Sequence, residues 1–218
     1  MQCIVTAGPT YEPLDKVRRL TNFSTGRLGS ALSESLIARG HQVTLLLGEQ
    51  ATFRNPALAS ITEPFTTTTD LRERLRKRSS DAVGAVFHAA AVSDFTFGKV
   101  GLRADDGGLR PVKSGKISTR EGTLLAELLP TPKLIGELRT WFPKAFLVGW
   151  KYEVDGARAD VLARARSQIT ESRTDACVAN GPAYGAGFGL VGRDGQCISL
   201  ADQTALFEHI LEKLNPSA

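Results

Sequence analysis

The chain has 218 residues, 42% of them hydrophobic and 23% charged, with a net charge of +4. This composition favours a globular domain with a substantial core, and the lack of any run of about 18 apolar residues excludes a membrane-spanning protein. The densest basic run, Leu71 to Ser80, has no interleaved aromatic residues. We therefore expect neither a membrane nor a nucleic acid as a partner.

The N-terminus of the sequence and its cysteines favour a cytoplasmic protein. The N-terminus "MQCIVTAGPT" lacks a charged segment followed by a long apolar stretch, so we expect no signal peptide. Cys3, Cys177 and Cys197 are an odd number at unrelated spacings. Such cysteines are typical of reduced thiols, and two of the three lie in apolar, strand-like runs.

Strands and helices alternate along the chain. "CIVTAG" predicts a buried strand, "GSALSESLIARG" a helix that stops at Gly40, and "HQVTLLLG" a second strand. Helical patterns follow in "TTTTDLRERLRKRSSD", "ARADVLARARSQITES" and "LADQTALFEHILEKL", and strands in "AVGAVFHAAAV", "AFLVGW" and "DACVAN". Strand–helix–strand units cross over right-handed, which predicts an α/β fold, a doubly wound Rossmann-like parallel sheet.

One segment, from about residue 96 to about residue 131, breaks this alternation. It is rich in glycine and contains strand-like pieces, "LRPVK" and "TLLAELL", in place of a crossover helix. We predict a β-flap insertion there, of the kind that forms a lid or an oligomer contact. Residues 1–218 then form a single domain that carries this flap.

The loop that follows the first strand is the main candidate for ligand binding, because ligands of doubly wound folds lie beyond the carboxyl ends of strands. After Gly8 the stretch "RRLTNFSTGRLG" lacks the G-x-G-x-x-G spacing, which argues against NAD. Ser24 and Thr25 would hold an anion at the helix start or merely cap that helix. Arg18 and Asn22 favour the anion, since a cap needs neither and an amide suits a carboxylate or an acyl phosphate.

Three further loops carry polar residues without a core role. Asp94 follows the small residues of "AAAVSDF", where a ligand can approach the backbone closely or a helix can pack tightly. Lys116 lies in "KSGKIS", where a lysine can neutralise charge on a phosphoryl group or simply aid solubility. Asn180 and Phe188 lie in the glycine-rich "VANGPAYGAGFG", which is a ligand loop or an ordinary loop.

Several other functional classes are disfavoured. His41, His88 and His209 are scattered, so we predict no metal centre and interpret the histidines as structural or surface residues. The chain has no G-x-S-x-G elbow, Walker A lysine or C-x-x-C pair. A short-chain reductase would need a Tyr-x-x-x-Lys pair, and none of the tyrosines has a lysine four residues on.

Taken together, these motifs resemble the phosphopantothenoylcysteine synthetase (phosphopantothenate–cysteine ligase) family of coenzyme A biosynthesis. "VTAGPTYEPLDKVRRLTNFSTGRLG", "AAAVSDF", the "KI" of the flap, "PTPKLI", "LVGWKYEV" and "VANG" follow in the family's order over nearly the whole chain. The resemblance implies a ligase that joins 4′-phosphopantothenate to cysteine through an acyl nucleotide, with CTP or ATP and Mg²⁺. It also implies a homodimer in a stand-alone form, without FMN, with a separate phosphopantothenoylcysteine decarboxylase as a possible partner.

The resemblance also implies roles for single residues. Asn22 would hold the acyl nucleotide, and Arg18 would bind the substrate phosphate from the neighbouring subunit. Lys116 would stabilise the second step, with Lys113 as the fallback. The other expected substrate and nucleotide contacts are Gly8, Ser24, Thr25, Gly26, Arg27, Ala90, Ala91, Asp94, Pro132, Lys133, Trp150, Asn180 and Phe188.

The nucleotide remains open between CTP and ATP. Bacterial members that use CTP carry two lysines in the helix before "VAN", at about Gln168 and Ser172 here, and a lysine cluster where this chain reads "KISTRE". "NFSTGR" and "FPKAFLVGWK" are more similar to the eukaryotic form, which uses ATP. A non-catalytic nucleotide- or flavin-binding module on the same fold is the alternative function, and Asn22 and Lys116 favour the ligase.

Overall fold

The computed structural model describes residues 1–53, 61–80, 82–104, 107–112, 115–118, 120 and 122–214. Its strands are β1 (Gln2–Ala7), β2 (Tyr11–Pro13), β3 (Arg19–Thr21), β4 (Gln42–Gly48), β5 (Ile61–Phe65), β6 (Val83–His88), β7 (Phe95–Arg103), β8 (Leu109–Pro111), β9 (Leu124–Pro130), β10 (Phe146–Tyr152), β11 (Ala176–Asn180), β12 (Phe188–Gly192) and β13 (Cys197–Leu200). Its helices are α1 (Arg27–Ala38), α2 (Thr68–Lys77), α3 (Leu134–Trp141), α4 (Arg158–Ser172) and α5 (Gln203–Leu214), with a 3₁₀ turn at Arg78–Ser80.

An eight-stranded sheet in the order β13-β12-β11-β10-β6-β1-β4-β5 forms the centre of the protein. The six strands from β5 to β11 in that order are parallel, and β12 and β13 add an antiparallel edge. From β1 the chain first winds outward through β4 and β5, and then returns to β6 on the other side. This order confirms the predicted doubly wound fold, and it places a crevice where the strand order reverses, between β1 and β6.

The sheet is covered on both faces, because successive strand residues point to opposite sides. Val5, with Leu32 and Leu36 of α1, belongs to a core cluster that also contains α5. Ile4, one position earlier, belongs to a second cluster with the leucines of α2 and α3. Burial on both faces explains why the central strands read as continuous apolar runs. Of the described helices, none has the length and apolar character required to cross a membrane.

A hairpin made of β2 and β3 occupies the connection between β1 and α1, which the sequence analysis treated as a loop. The Glu12 side chain in β2 is buried and accepts hydrogen bonds from Thr68 N and Thr96 Oγ1, each at 3.0 Å. Tyr11 N donates to Thr66 O at 3.0 Å. These bonds attach the hairpin to the start of α2 and to β7, so it is a fixed part of the fold.

The predicted β-flap is confirmed as a three-stranded antiparallel sheet in the order β8-β7-β9. Its long pair, β7 with β9, starts at Phe95 opposite Pro130. Gly101 faces β8 so closely that a Cβ there would lie 2.4 Å from Arg110 O. A glycine is therefore required for these two strands to pair.

Candidate functional site

The crevice between β1 and β6 begins with three glycines that the sequence keeps apart. Gly8 follows β1 and Gly26 precedes α1, both with positive φ (80° and 79°), and a Cβ on Gly26 would lie 3.4 Å from the Cα of Gly8. A Cβ on Gly29 would lie 2.6 Å from Ala7 Cβ. The start of α1 therefore packs directly on the end of β1, as in dinucleotide-binding folds. The sequence analysis missed this convergence because the hairpin separates the first glycine from the others.

The start of α1 carries two of the expected anion contacts. Gly26 occupies the N-cap position without a side-chain cap, and the Thr25 hydroxyl accepts a hydrogen bond from Arg27 N at 3.3 Å. Thr25 thus satisfies one of the free amides of the first helical turn. Ser24 is half-buried beside it, while Arg27 is exposed. Anion binding by these residues stays a prediction.

Asn22 extends from the hairpin to the opposite side of the crevice. Its Nδ2 donates to Ala91 O at 3.1 Å, and Thr10 N donates to the same oxygen at 3.1 Å. Ala91 N in turn donates to Gly8 O at 3.0 Å. Among the described residues, one amide hydrogen and the carbonyl oxygen of Asn22 have no further partner and are placed to contact a ligand. The structure therefore joins Asn22, Gly8 and the alanine-rich loop, which the sequence predicted separately.

The loop that leads to Asp94 is held by a buried hydroxyl network that the sequence analysis did not find. Strand β6 ends at His88, so the alanines of "AAAV" lie beyond the strand and not at its end as expected. Ser93 N donates to Thr10 Oγ1 at 2.8 Å, and that hydroxyl donates to Ser93 Oγ at 2.9 Å. Threonine and serine are common in loops, so the sequence does not single out Thr10 and Ser93. Only their burial in the structure shows that they form this network.

A cavity of about 130 Å³ lies beside this loop. Its lining contains five residues expected at the site, namely Ala90, Asp94, Pro132, Lys133 and Trp150. His88, Val92, Ser93, Thr131, Leu134, Ile135 and Gln168 complete the lining. Pockets for whole ligands usually measure about 300–1,000 Å³. This cavity therefore accommodates only part of a nucleotide-sized molecule, and the rest would lie over the open crevice.

His88 lines the cavity, although the sequence analysis interpreted it as an ordinary structural or surface residue. Its Nδ1 lies 2.9 Å from Thr6 Oγ1, the atom that also accepts a hydrogen bond from Ala90 N at 3.2 Å. Burial lowers the pKa of His88 from 6.5 to about 4. The imidazole is therefore neutral near pH 7, because a charged ring is disfavoured in a buried position.

An ion pair between Asp94 and Lys133 lies at the mouth of the cavity. Lys133 is the N-cap of α3. The side chain of Asp94 is 67% exposed and that of Lys133 is 73% exposed. An exposed pair of this kind contributes only about 0–1 kcal/mol. Either group can therefore exchange its partner for a ligand at small cost.

Trp150 within β10 and Asn180 at the end of β11 each carry a buried polar atom. Within the described part of the chain, Trp150 Nε1 and Asn180 Oδ1 have no hydrogen-bond partner. A buried group of this kind costs about 1–3 kcal/mol when unsatisfied, so a bound polar molecule is favoured. Neither Asn180 nor Phe188 lines the 130 Å³ cavity, and Phe188 packs against the core cluster that contains Val5.

Arg18 contacts the backbone of Ile117, the residue that follows Lys116. Arg18 forms an ion pair with Asp15 at 2.6 Å, and its Nη2 donates to Ile117 O at 2.7 Å. The guanidinium and three backbone amides hold the pKa of the Asp15 carboxyl well below its usual range. Lys116 itself is exposed. The fallback residue, Lys113, lies outside the described residues.

No three His, Cys, Asp or Glu side chains come together as a metal site among the residues that the structure describes. Mg²⁺ is usually bound by one or two carboxylates, several waters and substrate phosphates. Asp94 is the carboxylate in the cavity wall that suits this type of binding.

Comparison with known proteins identifies the family. A family model for the DNA/pantothenate metabolism flavoprotein C-terminal domain matches residues 1–211. The chain belongs to this family. A relative from Thermococcus kodakarensis, the coenzyme A biosynthesis bifunctional protein CoaBC, is 35% identical over 199 residues, covering 88% of this chain and 45% of that protein. The chain spans about half the length of the curated relatives that it matches.

Two crystal structures show how far the family fold extends over this chain. The DNA/pantothenate metabolism flavoprotein from Streptococcus pneumoniae is 27% identical, with a TM-score of 0.85 and 100% coverage of both chains. The C-terminal domain of a CoaBC protein is 25% identical, with a TM-score of 0.75, 98% coverage of this chain and 93% of that one. The doubly wound sheet with its β-flap is therefore the fold of the family.

Proposed function

We propose that this chain is a phosphopantothenate–cysteine ligase of coenzyme A biosynthesis. The observation that carries the proposal is the junction of Asn22, Gly8 and Ala91 at the crevice of a family-type fold. The names of the matched relatives, which refer to coenzyme A biosynthesis and pantothenate metabolism, agree with this activity.

The reaction has two steps. In the first, the carboxylate of 4′-phosphopantothenate attacks the α-phosphorus of a nucleoside triphosphate. An acyl–phosphate bond forms, the α–β anhydride breaks, and pyrophosphate leaves. In the second, the amine of cysteine attacks the acyl carbon, so that the amide bond forms and the nucleoside monophosphate leaves, while the amine loses a proton. Activation of the carboxyl group makes the amide bond favourable to form.

Asn22 is suited to the intermediate, because its remaining donor and acceptor can contact the acyl phosphate while Ala91 O holds its amide in place. Ala90 lines the cavity, and Ser24 and Thr25 offer donors at the start of α1. Lys116 would neutralise charge as the nucleotide leaves, and Arg18 would bind the phosphate of phosphopantothenate.

The nucleotide is CTP or ATP. Mg²⁺ would arrive bound to the nucleotide phosphates, and Asp94 in the cavity wall would be its carboxylate ligand. Part of the nucleotide would enter the 130 Å³ cavity beside Trp150 and Gln168. Trp150 Nε1 and Asn180 Oδ1, which lack a partner within the described ranges, offer a donor and an acceptor to its polar groups.

We also propose a homodimer. Leu20 on β3 is 41% exposed, and Phe23, just after β3, is 109% exposed. Leu128 and Leu129 on β9 of the β-flap are 47% and 44% exposed. Exposed apolar residues of this kind mark surfaces that other chains cover. A second copy would also bring the Arg18 of one subunit near the crevice of the other. We propose a separate phosphopantothenoylcysteine decarboxylase as a partner. The free cysteines of this chain suit a cytoplasmic location.

Pyrophosphate release tests the activity directly. The purified protein is incubated with Mg²⁺ and with CTP or ATP in parallel, with and without 4′-phosphopantothenate. We expect release only when 4′-phosphopantothenate is present, and the faster nucleotide identifies the co-substrate. No release with either nucleotide would contradict the ligase and leave the non-catalytic binding module.

Replacing Lys116 tests its role in the second step. We expect Lys116→Gln to slow formation of the amide product by on the order of 10²-fold, because one charge-stabilising donor is lost. Lys144→Gln, an exposed lysine between α3 and β10, is the matched control and should retain full turnover. Unchanged turnover in Lys116→Gln would point to Lys113.

A further inference from the structure

The backbone on the C-terminal side of Lys116 is held by an ion pair from the hairpin turn. Ile117 N donates to Asp15 Oδ2 at 3.2 Å, and Arg18 Nη2 donates to Ile117 O at 2.7 Å. Ile117 is only 5% exposed, in contrast to its neighbour Lys116. Both backbone groups of this residue are thus bound by the two partners of one ion pair.

The backbone on the N-terminal side of Lys116 is held by the same turn. Lys16 N donates to Gly115 O at 3.1 Å. A Cβ on Gly115 would lie 3.2 Å from Lys16 Cδ, so the two residues are in close contact. Lys116 is therefore fixed between two residues that are each hydrogen-bonded to the hairpin turn, while its own side chain extends from an exposed position.

Asp15 is the residue on which this arrangement depends. Its Oδ1 accepts from Val17 N at 2.8 Å and from Arg18 N at 2.7 Å, which shapes the turn. Its Oδ2 accepts from Arg18 Nε at 3.1 Å as well as from the flap. The side chain is 2% exposed. An amide cannot replace this carboxylate, because its NH₂ group would oppose donors at one of the two positions.

The hairpin that carries Asp15 also carries Asn22. Glu12 and the backbone of Tyr11 attach β2 to the domain, and Asn22 follows β3 directly. One rigid piece therefore sets both the amide that we assign to the acyl nucleotide and the backbone around Lys116. A lysine on an unattached glycine-rich loop would sample many positions, and misplacement by about 1 Å can cost about 10²-fold in rate.

We infer that Asp15 is a positioning residue that fixes Lys116 relative to Asn22 for the second step, attack of the cysteine amine on the acyl nucleotide. This inference rests on the proposed ligase activity. Asp15 touches the flap backbone and Arg18, and it acts on the reaction through Lys116. Its loss should slow amide formation and, once 4′-phosphopantothenate is saturating, leave formation of the acyl nucleotide nearly unchanged.

The test separates the two steps in Asp15→Asn, with Asp15→Ala as a second variant that places no amide against Arg18. Enzyme is first incubated with nucleotide and 4′-phosphopantothenate, and the burst of pyrophosphate is measured. Cysteine is then added, and release of the nucleoside monophosphate is timed. At saturating 4′-phosphopantothenate, which offsets weaker binding through Arg18, we expect both variants to keep the burst rate within about threefold and to slow the second step by about tenfold or more.

A double-mutant cycle with Lys116→Gln distinguishes positioning from a general structural role. If Asp15 acts through Lys116, Asp15→Asn has little further effect on the second step once Lys116 is replaced. Effects that multiply, or a burst that falls as much as the second step, would overturn the inference. Absence of any burst in the unmodified protein would instead contradict the proposed function itself.

Discussion

His88 should make the stability of the protein depend on pH in a direction that can be measured. Burial lowers its pKa from 6.5 to about 4. Between these values the unfolded chain binds a proton that the folded chain does not, so stability is fully present above about pH 6.5 and falls as the pH drops towards 4. One pKa unit corresponds to about 1.4 kcal/mol. From about pH 7 to about pH 5, His88 alone should remove about 2 kcal/mol from the free energy of unfolding.

Urea unfolding at several pH values, followed by circular dichroism, measures this loss. His88→Gln keeps a polar side chain that can bond to Thr6 but does not titrate, so its stability should fall less by about 2 kcal/mol over the same range. Parallel losses in the unmodified protein and in His88→Gln would refute the assignment of a buried, neutral imidazole.

Two further predictions concern packing and thiol chemistry. Gly29→Ala should destabilise the fold by about 1–3 kcal/mol through overpacking against β1, whereas Gly136→Ala, which has open space in α3, should be neutral or stabilising in the same denaturation assay. Burial raises the pKa of Cys3 to about 11 and that of Cys177 to about 12, so iodoacetamide at about pH 8 should label Cys197 first, as measured by mass spectrometry. Equal labelling of all three thiols would contradict the buried positions of the first two.

The parallel sheet was predictable because its strands are covered on both sides. "CIVTAG" and "DACVAN" are almost wholly apolar, and the corresponding strands β1 and β11 are almost wholly buried. A pattern of that kind depends on the burial of each residue and not on the partner strand, so it can be read locally. The β-flap was predictable for a related reason, since its glycine-rich pieces cannot continue a helical pattern.

The hairpin and the glycine convergence were not predictable from the sequence, because both depend on distant contacts. β2 and β3 have only three residues each and are held by Thr66, Thr68 and Thr96, which lie far along the chain. The position of His88 was not predictable for the same reason. A single histidine in an apolar strand looks structural, and only the fold shows that it borders a cavity.

The insertion of the hairpin explains how this crevice differs from a dinucleotide site on a similar sheet. In the G-x-G-x-x-G arrangement a short turn takes the chain from strand to helix, and the ligand is held mainly by backbone groups. Here Gly26 and Gly29 still pack on the end of β1, so the close approach of helix and strand is retained. The additional residues provide what a short turn cannot, namely the Asn22 amide and the Asp15 carboxylate that binds the flap. Glu12 fixes this one hairpin to both α2 and β7. Asn22 and the backbone around Lys116 can therefore hold their relative positions, even though the β-flap that carries Lys116 is long.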